Sequence, residues 1–438
     1  MKKLIFLLLP LSIFAKSFLI SNVPLPKTYI QNLDPYPCDE KCLQEYIDND
    51  MIFSFLAHVD RKLENKEQDE IRMMNISILN LGSNIISREL RIALLLPYKT
   101  IGRYAASTTN STFSYLITKN RAFELKSYKI ENESRQEIEK TLSKIEEDGF
   151  DYIIAPLTKN GADTLIQVDP KMYVYFPTIN KNDVHSSSPY LFFGGIDYKA
   201  QSDILLKEAV SPLVIFYDRS SIGKKLSSYQ EESFKNKTFL DENSTLRTDD
   251  LYTNMEESTD IPEIANSENS DELENEEMTV VKFSIPRRTT NLERQLKDND
   301  KIIEGSFFLN TPIVKSGMIM SQLTLYDLNA TNILSTQINY DPLLLSMTQY
   351  NDRKDMIVAN SITEQNNILI ESNALLSNDI VYDWINYTTT VGIDYFFSLI
   401  TNDIREYDIP LEENQMLYKI ELLQPSLSRF IKYISTVE

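Results

Sequence analysis

Arg91-Ile-Ala-Leu-Leu-Leu-Pro97 begins an alternation of short apolar runs and helical stretches that continues through most of this 438-residue chain. The run itself predicts a buried strand. A helix is predicted over residues 104–117 and a further strand over residues 123–130. Continuous apolar strands separated by helices predict a parallel sheet that is covered by helices on both faces.

The same alternation continues toward the C-terminus, and a helical region precedes it at residues 39–88. Strands are predicted at residues 152–156, 173–176, 190–193, 213–217, 280–285, 307–309, 333–338, 356–359 and 416–423. Helices are predicted at residues 161–167, 199–210, 290–297, 313–326, 343–350 and 379–401, and from Ser426 onward. A further helix begins at Ser134, has Glu137 at the capping-box spacing and ends at Gly149. The predicted fold class is α/β, with a short N-terminal helical segment.

The composition argues against several classes of function. The net charge is −20, and a nucleic-acid backbone requires a basic surface, so we expect no nucleic-acid partner. Ten glycines and two histidines are too few for a glycine-rich phosphate loop or a zinc site with several histidines. Neither Gly-x-Ser-x-Gly nor His-Glu-x-x-His occurs, so we expect a protein that is not an enzyme, with no catalytic residue, cofactor or metal site. A hydrolase with a Ser–His–acid arrangement around His185 is the remaining enzymatic alternative; His58 lies in the helical region.

The N-terminal residues 1–15 have the features of a secretory signal peptide. Lys2 and Lys3 precede an apolar run that ends in Phe14-Ala15. A membrane helix needs about 20 residues, so this run is too short to span a bilayer. We therefore expect export to the periplasm, cleavage near Ala15 and no membrane span.

Cys38 and Cys42 are the only cysteines in the chain. In an oxidising compartment two neighbouring thiols predict a disulfide. Both cannot lie inside one regular helix, because Cβ atoms four residues apart are farther from each other than a disulfide allows. Cys38 is therefore expected to precede a helix that begins near Asp39. Two reduced thiols are the alternative.

Residues 241–277 differ in composition from the rest of the chain. They contain 14 acidic residues and one Arg, a local charge of −13. Few apolar residues are present to stabilise a core, so this segment is predicted to be a disordered acidic insertion. It is interpreted either as a solvated loop or as an acidic segment that binds a partner.

Two successive βα-alternating regions resemble the two Rossmann-like lobes of the type I periplasmic binding-protein superfamily. The residues that carry the resemblance are Arg91-Ile-Ala-Leu-Leu-Leu-Pro97, Asp151-Tyr-Ile-Ile-Ala-Pro156, Phe193-Gly-Gly-Ile-Asp197, Pro212-Leu-Val-Ile-Phe-Tyr217, Gly305-Ser-Phe-Phe-Leu-Asn-Thr-Pro312 and Asp355-Met-Ile-Val-Ala-Asn360. The resemblance implies a first lobe at residues 91–210, to which part of the C-terminal helices returns, and a second lobe at residues 211–438.

Within that superfamily the chain is similar to the non-transport branch, such as the envelope proteins that activate peptidoglycan synthases. Those proteins also have a helical part before the two lobes. The corresponding segment here, residues 16–90, is much shorter than a full helical-repeat domain, and the lipid-anchoring cysteine is missing.

Ligands of open α/β sheets bind beyond the carboxyl ends of the strands. In this sequence the polar residues at those positions form a candidate set for a small polar ligand: Tyr98, Lys99, Thr100, Thr158, Thr178, Asn180, Asp197, Tyr198 and Thr311. Loops at strand ends are commonly polar for other reasons, so this set is weighed against an ordinary surface. It also lacks the glycine-rich turns that suit an anionic ligand.

Two Asn-x-Ser/Thr sequences have an acidic residue two positions before the Asn, which is the extended form that some bacteria glycosylate. They are Asp241-Glu-Asn243-Ser-Thr and Asp327-Leu-Asn329-Ala-Thr. Asn243 and Asn329 are therefore predicted glycosylation sites.

The combined expectation is a non-catalytic periplasmic protein that acts as a regulatory or structural partner of a cell-envelope complex, either in peptidoglycan synthesis or in motor assembly. The sequence does not identify the envelope partner. The alternative is a periplasmic solute-binding receptor for a small polar ligand.

Overall fold

The computed structural model describes residues 30, 36, 38–59, 63, 65–79, 90–119, 121, 123–248, 278–363 and 366–434, without the side chains of residues 77–78 and 237–248. The chain divides into two compact units, residues 1–90 with 121–123, and residues 91–120 with 124–438. The predicted signal peptide lies outside the described residues. Within the described ranges, no helix is both long enough and apolar enough to cross a membrane.

The first unit contains the helices α1 (Glu40–Asp48), α2 (Ile52–His58) and α3 (Lys66–Ile78). Cys38 and Cys42 form a disulfide with a Cα–Cα distance of 5.4 Å, which confirms the predicted bridge. Cys38 precedes α1, and the Asp39 side chain caps the helix by accepting a hydrogen bond from the backbone N–H of Cys42 at 2.9 Å. Leu43 of α1 packs with Phe55 and Leu56 of α2 in a small core.

The second unit contains two seven-stranded sheets. The first sheet has the order β11-β12-β5-β4-β3-β1-β2. Its strands are β1 (Leu90–Leu96), β2 (Phe123–Lys129), β3 (Tyr152–Ile154), β4 (Tyr173–Phe176), β5 (Leu191–Phe193), β11 (Leu411–Glu412) and β12 (Gln415–Met416). β1, β3, β4 and β5 are parallel to one another.

The second sheet has the order β14-β13-β10-β9-β8-β6-β7. Its strands are β6 (Leu213–Asp218), β7 (Val280–Ile285), β8 (Ser306–Asn310), β9 (Asn332–Ser335), β10 (Met356–Asn360), β13 (Glu421–Pro425) and β14 (Phe430–Lys432). β6 to β10 are parallel, and β13 and β14 add an antiparallel edge.

Helices cover these sheets: α4 (Tyr98–Ile101), α5 (Tyr104–Ile117), α6 (Arg135–Glu147), α7 (Lys159–Val168), α8 (Tyr198–Lys207), α9 (Ser221–Thr248), α10 (Glu293–Leu296), α11 (Ile313–Leu325), α12 (Pro342–Met347), α13 (Tyr350–Arg353), α14 (Asn367–Leu375) and α15 (Trp384–Thr401). Three short 3-10 turns occur at Lys181–Asp183, Asp300–Ile302 and Gln337–Asn339. Strands alternate with helices along both lobes, so the predicted α/β class is confirmed.

Each lobe takes its elements from more than one part of the sequence. Leu205 and Leu206 of α8 join the core of the second sheet, so the second lobe as folded begins before residue 211. α15 packs on the first sheet, where the Tyr175 hydroxyl donates to the Thr388 carbonyl oxygen at 2.8 Å. The chain therefore passes between the sheets after β5, after β10 and after β12.

Several local expectations differ from the structure. The prediction of a helix from Ser426 onward is wrong, because the chain turns there and returns as β14, which pairs with β13. The helix expected at residues 290–297 is reduced to the single turn α10. Ser134 is the N-cap residue of α6, but its side chain makes no cap hydrogen bond, so the capping box does not form.

The helices α9 and α14 were not predicted from the sequence pattern. α9 continues to Thr248 and so includes the first eight residues of the segment predicted to be a disordered acidic insertion. The rest of that segment, residues 249–277, lies outside the described residues. Asn243 lies in this part of α9, and Asn329 is exposed between α11 and β9.

Candidate functional site

The candidate ligand residues at the carboxyl ends of β3 and β4 hold loops of the first lobe together. The backbone N–H of Thr158 donates to Glu133 Oε1 at 2.8 Å, its hydroxyl donates to Glu133 Oε2, and its Oγ1 caps α7. Thr178 donates its hydroxyl hydrogen to the Leu157 carbonyl oxygen at 2.7 Å. Asn180 is buried and donates to the Gly195 carbonyl oxygen at 3.0 Å. These polar groups therefore form hydrogen bonds within the chain.

Tyr98, Lys99 and Thr100 form most of α4 and are exposed. Lys99 forms an ion pair with Glu131. Hydrogen bonding to Lys99, followed by the charges of Lys99 and Lys129, lowers the pKa of the Glu131 carboxyl. This group lies on the surface, and its ion pair joins it to Glu131 after β2.

Several polar residues at the carboxyl ends of the second sheet are buried and bonded to one another, whereas Thr336 Oγ1 and Asn339 Oδ1 have no hydrogen-bond partner among the described residues. The Thr311 hydroxyl lies 2.8 Å from the Ser316 hydroxyl. Asn339 donates to Ser335 Oγ at 2.7 Å. All four side chains belong to fully buried residues. Thr311 is therefore part of an internal network.

A second buried network links α8 to the ends of β9 and β10. Gln201 donates to the Ser361 hydroxyl at 2.8 Å and accepts from the backbone N–H of Gln337 at 2.9 Å. Gln337 in turn donates to Asn360 Oδ1 at 2.8 Å. Because these side chains satisfy one another, they stabilise the ends of the strands and leave few groups for a solute.

Asp197 and Tyr198 lie where the chain passes from the first sheet to the second. Asp197 caps α8 by accepting from the backbone N–H groups of Lys199 and Ala200, both at 3.0 Å. Tyr198 packs edge to face against Trp384, with 6.4 Å between ring centroids. Of the nine predicted ligand residues, Tyr198 is the one that joins an interlobe group.

That group, here named the interlobe cluster, combines aromatic and charged side chains from both lobes. Its members are Arg103, Tyr104, Tyr198, Tyr340, Asp341, Tyr382, Asp383 and Trp384. Tyr340 follows the second sheet's β9, whereas Tyr382 precedes α15 on the first lobe, and their ring centroids are 5.0 Å apart. Phe430 of β14 packs on Tyr340 at 4.9 Å.

Electrostatic interactions connect the two lobes across this cluster. The pKa of Arg103 is raised by a hydrogen bond and charge interaction with Tyr104, and further by Asp383 and Asp341. Burial raises the pKa of Asp383, although its cap bonds to Asn386 and Ile385 and the charge of Arg103 act in the opposite direction. Burial, Tyr104 and Asp383 raise the pKa of Tyr198.

The chemistry available at the interlobe cluster is recognition. Carboxylates can bind a positively charged group, and aromatic faces can hold its organic part. Within the described ranges, no three His, Cys, Asp or Glu side chains come close enough together to hold a metal ion. His58 lies in the first compact unit and His185 in the second.

Sequence reasoning missed most of the interlobe cluster. Asp341 and Asp383 are the N-cap residues of α12 and α15; Asp341 accepts one backbone hydrogen bond at the start of its helix, and Asp383 accepts two. The strand-end rule could have found Asp341, because it follows the predicted strand at residues 333–338 by three residues. Asp383 and Trp384 gave no such signal, since they lie inside the predicted helix at residues 379–401.

Comparisons with known proteins agree on the fold. The sequence matches no family model and no curated protein. A protein from Rhodospirillum rubrum that is assigned to branched-chain amino acid ABC transport has a TM-score of 0.54 and 9% identity, covering 79% of this chain and 100% of its own. A solute-binding protein of an ABC transporter from Rhodopseudomonas palustris BisB5, in complex with 3,4-dihydroxybenzoic acid, has a TM-score of 0.51 and 10% identity, covering 79% and 96%.

Full-length LpoA from Haemophilus influenzae is 11% identical over 90% of this chain and 65% of its own, with a TM-score of 0.49. This chain has the two-lobed α/β fold of the type I periplasmic binding proteins.

Proposed function

We propose that this protein is a non-catalytic periplasmic component of a cell-envelope complex and that it acts by binding another protein. The observation that supports the proposal is the hydrogen bonding of the polar side chains at the strand ends. Thr158, Thr178 and Asn180 are bonded within the first lobe, and Thr311 is bonded within the second. A binding-protein fold whose strand-end groups bond to one another favours a protein partner over a solute. Regulation of peptidoglycan synthesis and assembly of a motor are the candidate roles.

A solute-binding receptor is the second candidate function, and the interlobe cluster favours it. Asp341 and Asp383 come from different lobes, and both lie within electrostatic range of Arg103. The aromatic rings of Tyr198 and Trp384 lie beside them. This arrangement suits a small organic solute that carries a positive charge.

Two measurements on the full chain separate these functions. Crosslinking in the periplasm of the producing bacterium, followed by purification, is expected to recover one defined envelope protein in a stoichiometric complex. Thermal-shift screening with amino acids, sugars and nucleosides is expected to show no ligand. A solute at 100 times its Kd stabilises a protein by about 2.7 kcal/mol, so real binding would be visible.

The variant pair Asp341→Asn and Asp383→Asn provides the control. Both substitutions keep helix-capping ability while removing charge. A solute that stabilises the natural chain but not the double variant would establish the receptor function. Recovery of the monomer alone after crosslinking would contradict the partner function.

A further inference from the structure

A groove runs between the terminal strand of the first sheet and the helix beside it. β2 is the last strand in the sheet order, with β1 as its only neighbour among the described strands. The groove has a volume of about 270 Å³. β2 contributes four consecutive lining residues, Lys126, Ser127, Tyr128 and Lys129. α6 contributes Glu137, Lys140, Thr141 and Lys144, which have the spacing of one helix face.

No described strand pairs with the outer backbone edge of β2. The backbone N–H of Ile130, which follows β2, donates to the Leu96 carbonyl oxygen of β1's end at 3.1 Å. Backbone groups of successive strand residues point alternately to opposite sides. The N–H and C=O groups of Ser127 and Lys129 therefore point away from β1, toward the groove.

The groove is lined by four lysines and one carboxylate, Glu137, so its lining carries a net positive charge. Lys126 pairs with Asp148 at 2.7 Å, and Lys129 pairs with Glu131 at 3.7 Å. Lys140 and Lys144 are exposed and form no ion pair with any described residue. Four lysines beside a strand edge on which no described strand pairs are notable in a chain with a net charge of −20.

We propose that an extended acidic segment of the partner protein binds in this groove by adding to β2 as a further strand. Backbone hydrogen bonds to Ser127 and Lys129 would supply affinity, and the lysines would select acidic side chains. Lysines on an edge strand also discourage pairing with neutral or basic strands, so the same residues give specificity. This inference rests on the proposed function, because it assigns the segment to the protein partner.

The binding test uses the full chain and a synthetic eight-residue peptide of alternating Glu and Val. Fluorescence anisotropy of the labelled peptide is expected to show saturable binding that weakens with salt. A peptide of the same sequence with N-methyl groups on alternate residues keeps its charge but cannot form the ladder hydrogen bonds. It is expected to bind at least about tenfold more weakly. Equal binding of the two peptides would overturn strand addition.

Variants of the groove test the assigned residues. The double variant Lys140→Glu and Lys144→Glu is expected to weaken peptide binding at least about tenfold. The double variant Lys224→Glu and Lys301→Glu, two exposed substitutions outside the groove that make the same change of charge, is the matched control and is expected to bind as the natural chain does. Ser127→Pro removes an outward N–H from an edge strand, where proline is tolerated, and is expected to weaken binding with an unchanged circular dichroism spectrum. Unaltered affinity in the lysine double variant would overturn the inference.

Failure of this inference differs from failure of the proposed function. If the natural chain captures its envelope partner and the lysine double variant captures it equally well, the assignment of the binding site to the groove is wrong and the proposed function stands. If no partner is captured although the acidic peptide binds to the groove, the groove is still a peptide-binding site and the proposed function is wrong.

Discussion

Asp394 is a carboxylate with no exposed surface, held by groups from three parts of the first lobe. It accepts from the Tyr115 hydroxyl and from the backbone N–H of Glu406, both at 2.8 Å. Its Oδ2 atom lies 3.5 Å from the Arg405 Nε atom. The carboxylate therefore ties α15 to α5 and to the loop before β11.

Asp394→Ala is expected to lower the free energy of unfolding by about 3–5 kcal/mol, because it leaves the Tyr115 hydroxyl and two backbone N–H groups without their acceptor and Arg405 without its opposite charge. Urea denaturation measures the change. Tyr115→Phe removes only one of these hydrogen bonds and is expected to cost about 1–3 kcal/mol. A cost for Asp394→Ala no larger than that for Tyr115→Phe would show that the carboxylate is not the centre of this network.

The titration of Asp383 gives a prediction about pH. Burial raises the pKa of this carboxyl, so the native state holds its proton more tightly than the unfolded state does. Its contribution to stability is then complete below the unfolded pKa and is lost as the pH rises through the native pKa. Asp383→Asn keeps the helix cap but does not titrate. We expect the stability of the natural chain, relative to this variant, to increase as the pH falls from about 7 to about 4. The free energy of unfolding of both chains is measured by urea denaturation across that range. A constant difference between them would contradict this prediction.

At the scale of elements, α15 approaches the first sheet closely because glycines face Tyr175. A Cβ atom at Gly392 would lie 2.1 Å from Tyr175 Cε1, and one at Gly194 would lie 1.7 Å from the Tyr175 hydroxyl oxygen. The ring occupies this space, and its hydroxyl bonds to the Thr388 carbonyl oxygen of α15. The position of the helix therefore depends on two glycines and one tyrosine.

Gly392→Ala is expected to destabilise the protein by about 1–3 kcal/mol through overpacking, although alanine ordinarily favours a helix by about 1 kcal/mol over glycine. Thermal denaturation measures the effect. Gly317→Ala in α11 is the matched control, since its Cβ would lie 3.1 Å from the Thr348 methyl carbon and a small shift would accommodate it. Equal effects at both positions would mean that α15 can move away from Tyr175.

The sequence pattern predicted the central strands well because they are continuously apolar. All the residues of β8 and β10 are buried, and both strands were predicted to within two residues. The pattern failed where burial is partial. β14 has one half-buried and two exposed residues, and pairing with β13 decides its conformation. α9 was missed because buried polar residues such as Gln230 interrupt its apolar face.

The candidate site was harder to predict than the fold. Strand-end positions follow from the order of elements, but whether their side chains face a solute or each other depends on packing between distant residues. Thr158 meets Glu133, 25 positions earlier, and Gln201 meets Ser361, 160 positions later. The interlobe cluster likewise joins residues whose separation in sequence gives no sign of their proximity.

At the scale of the whole molecule, the two lobes are coupled by the three chain crossings and by aromatic contact. Tyr382 of the first lobe packs against Tyr340 at 5.0 Å and against Phe430 at 6.4 Å, and both of those residues belong to the second lobe. Aromatic pairs of this kind contribute about 0.5–1.5 kcal/mol each beyond the area that they bury. The contact therefore makes the unfolding of one lobe depend on the other.

Tyr382→Ala is expected to reduce this coupling and to separate the unfolding of the two lobes. In differential scanning calorimetry, the ratio of the van't Hoff enthalpy to the calorimetric enthalpy should fall below the natural chain's value, because cooperativity between the lobes decreases. Tyr326→Ala, which truncates a partly buried tyrosine packed on the second lobe's core alone, is the control. It is expected to lower the melting temperature of the second lobe while leaving the contact of Tyr382 in place. If Tyr382→Ala lowers the melting temperature but leaves the enthalpy ratio unchanged, the chain crossings alone couple the lobes and the aromatic contact contributes only local stability.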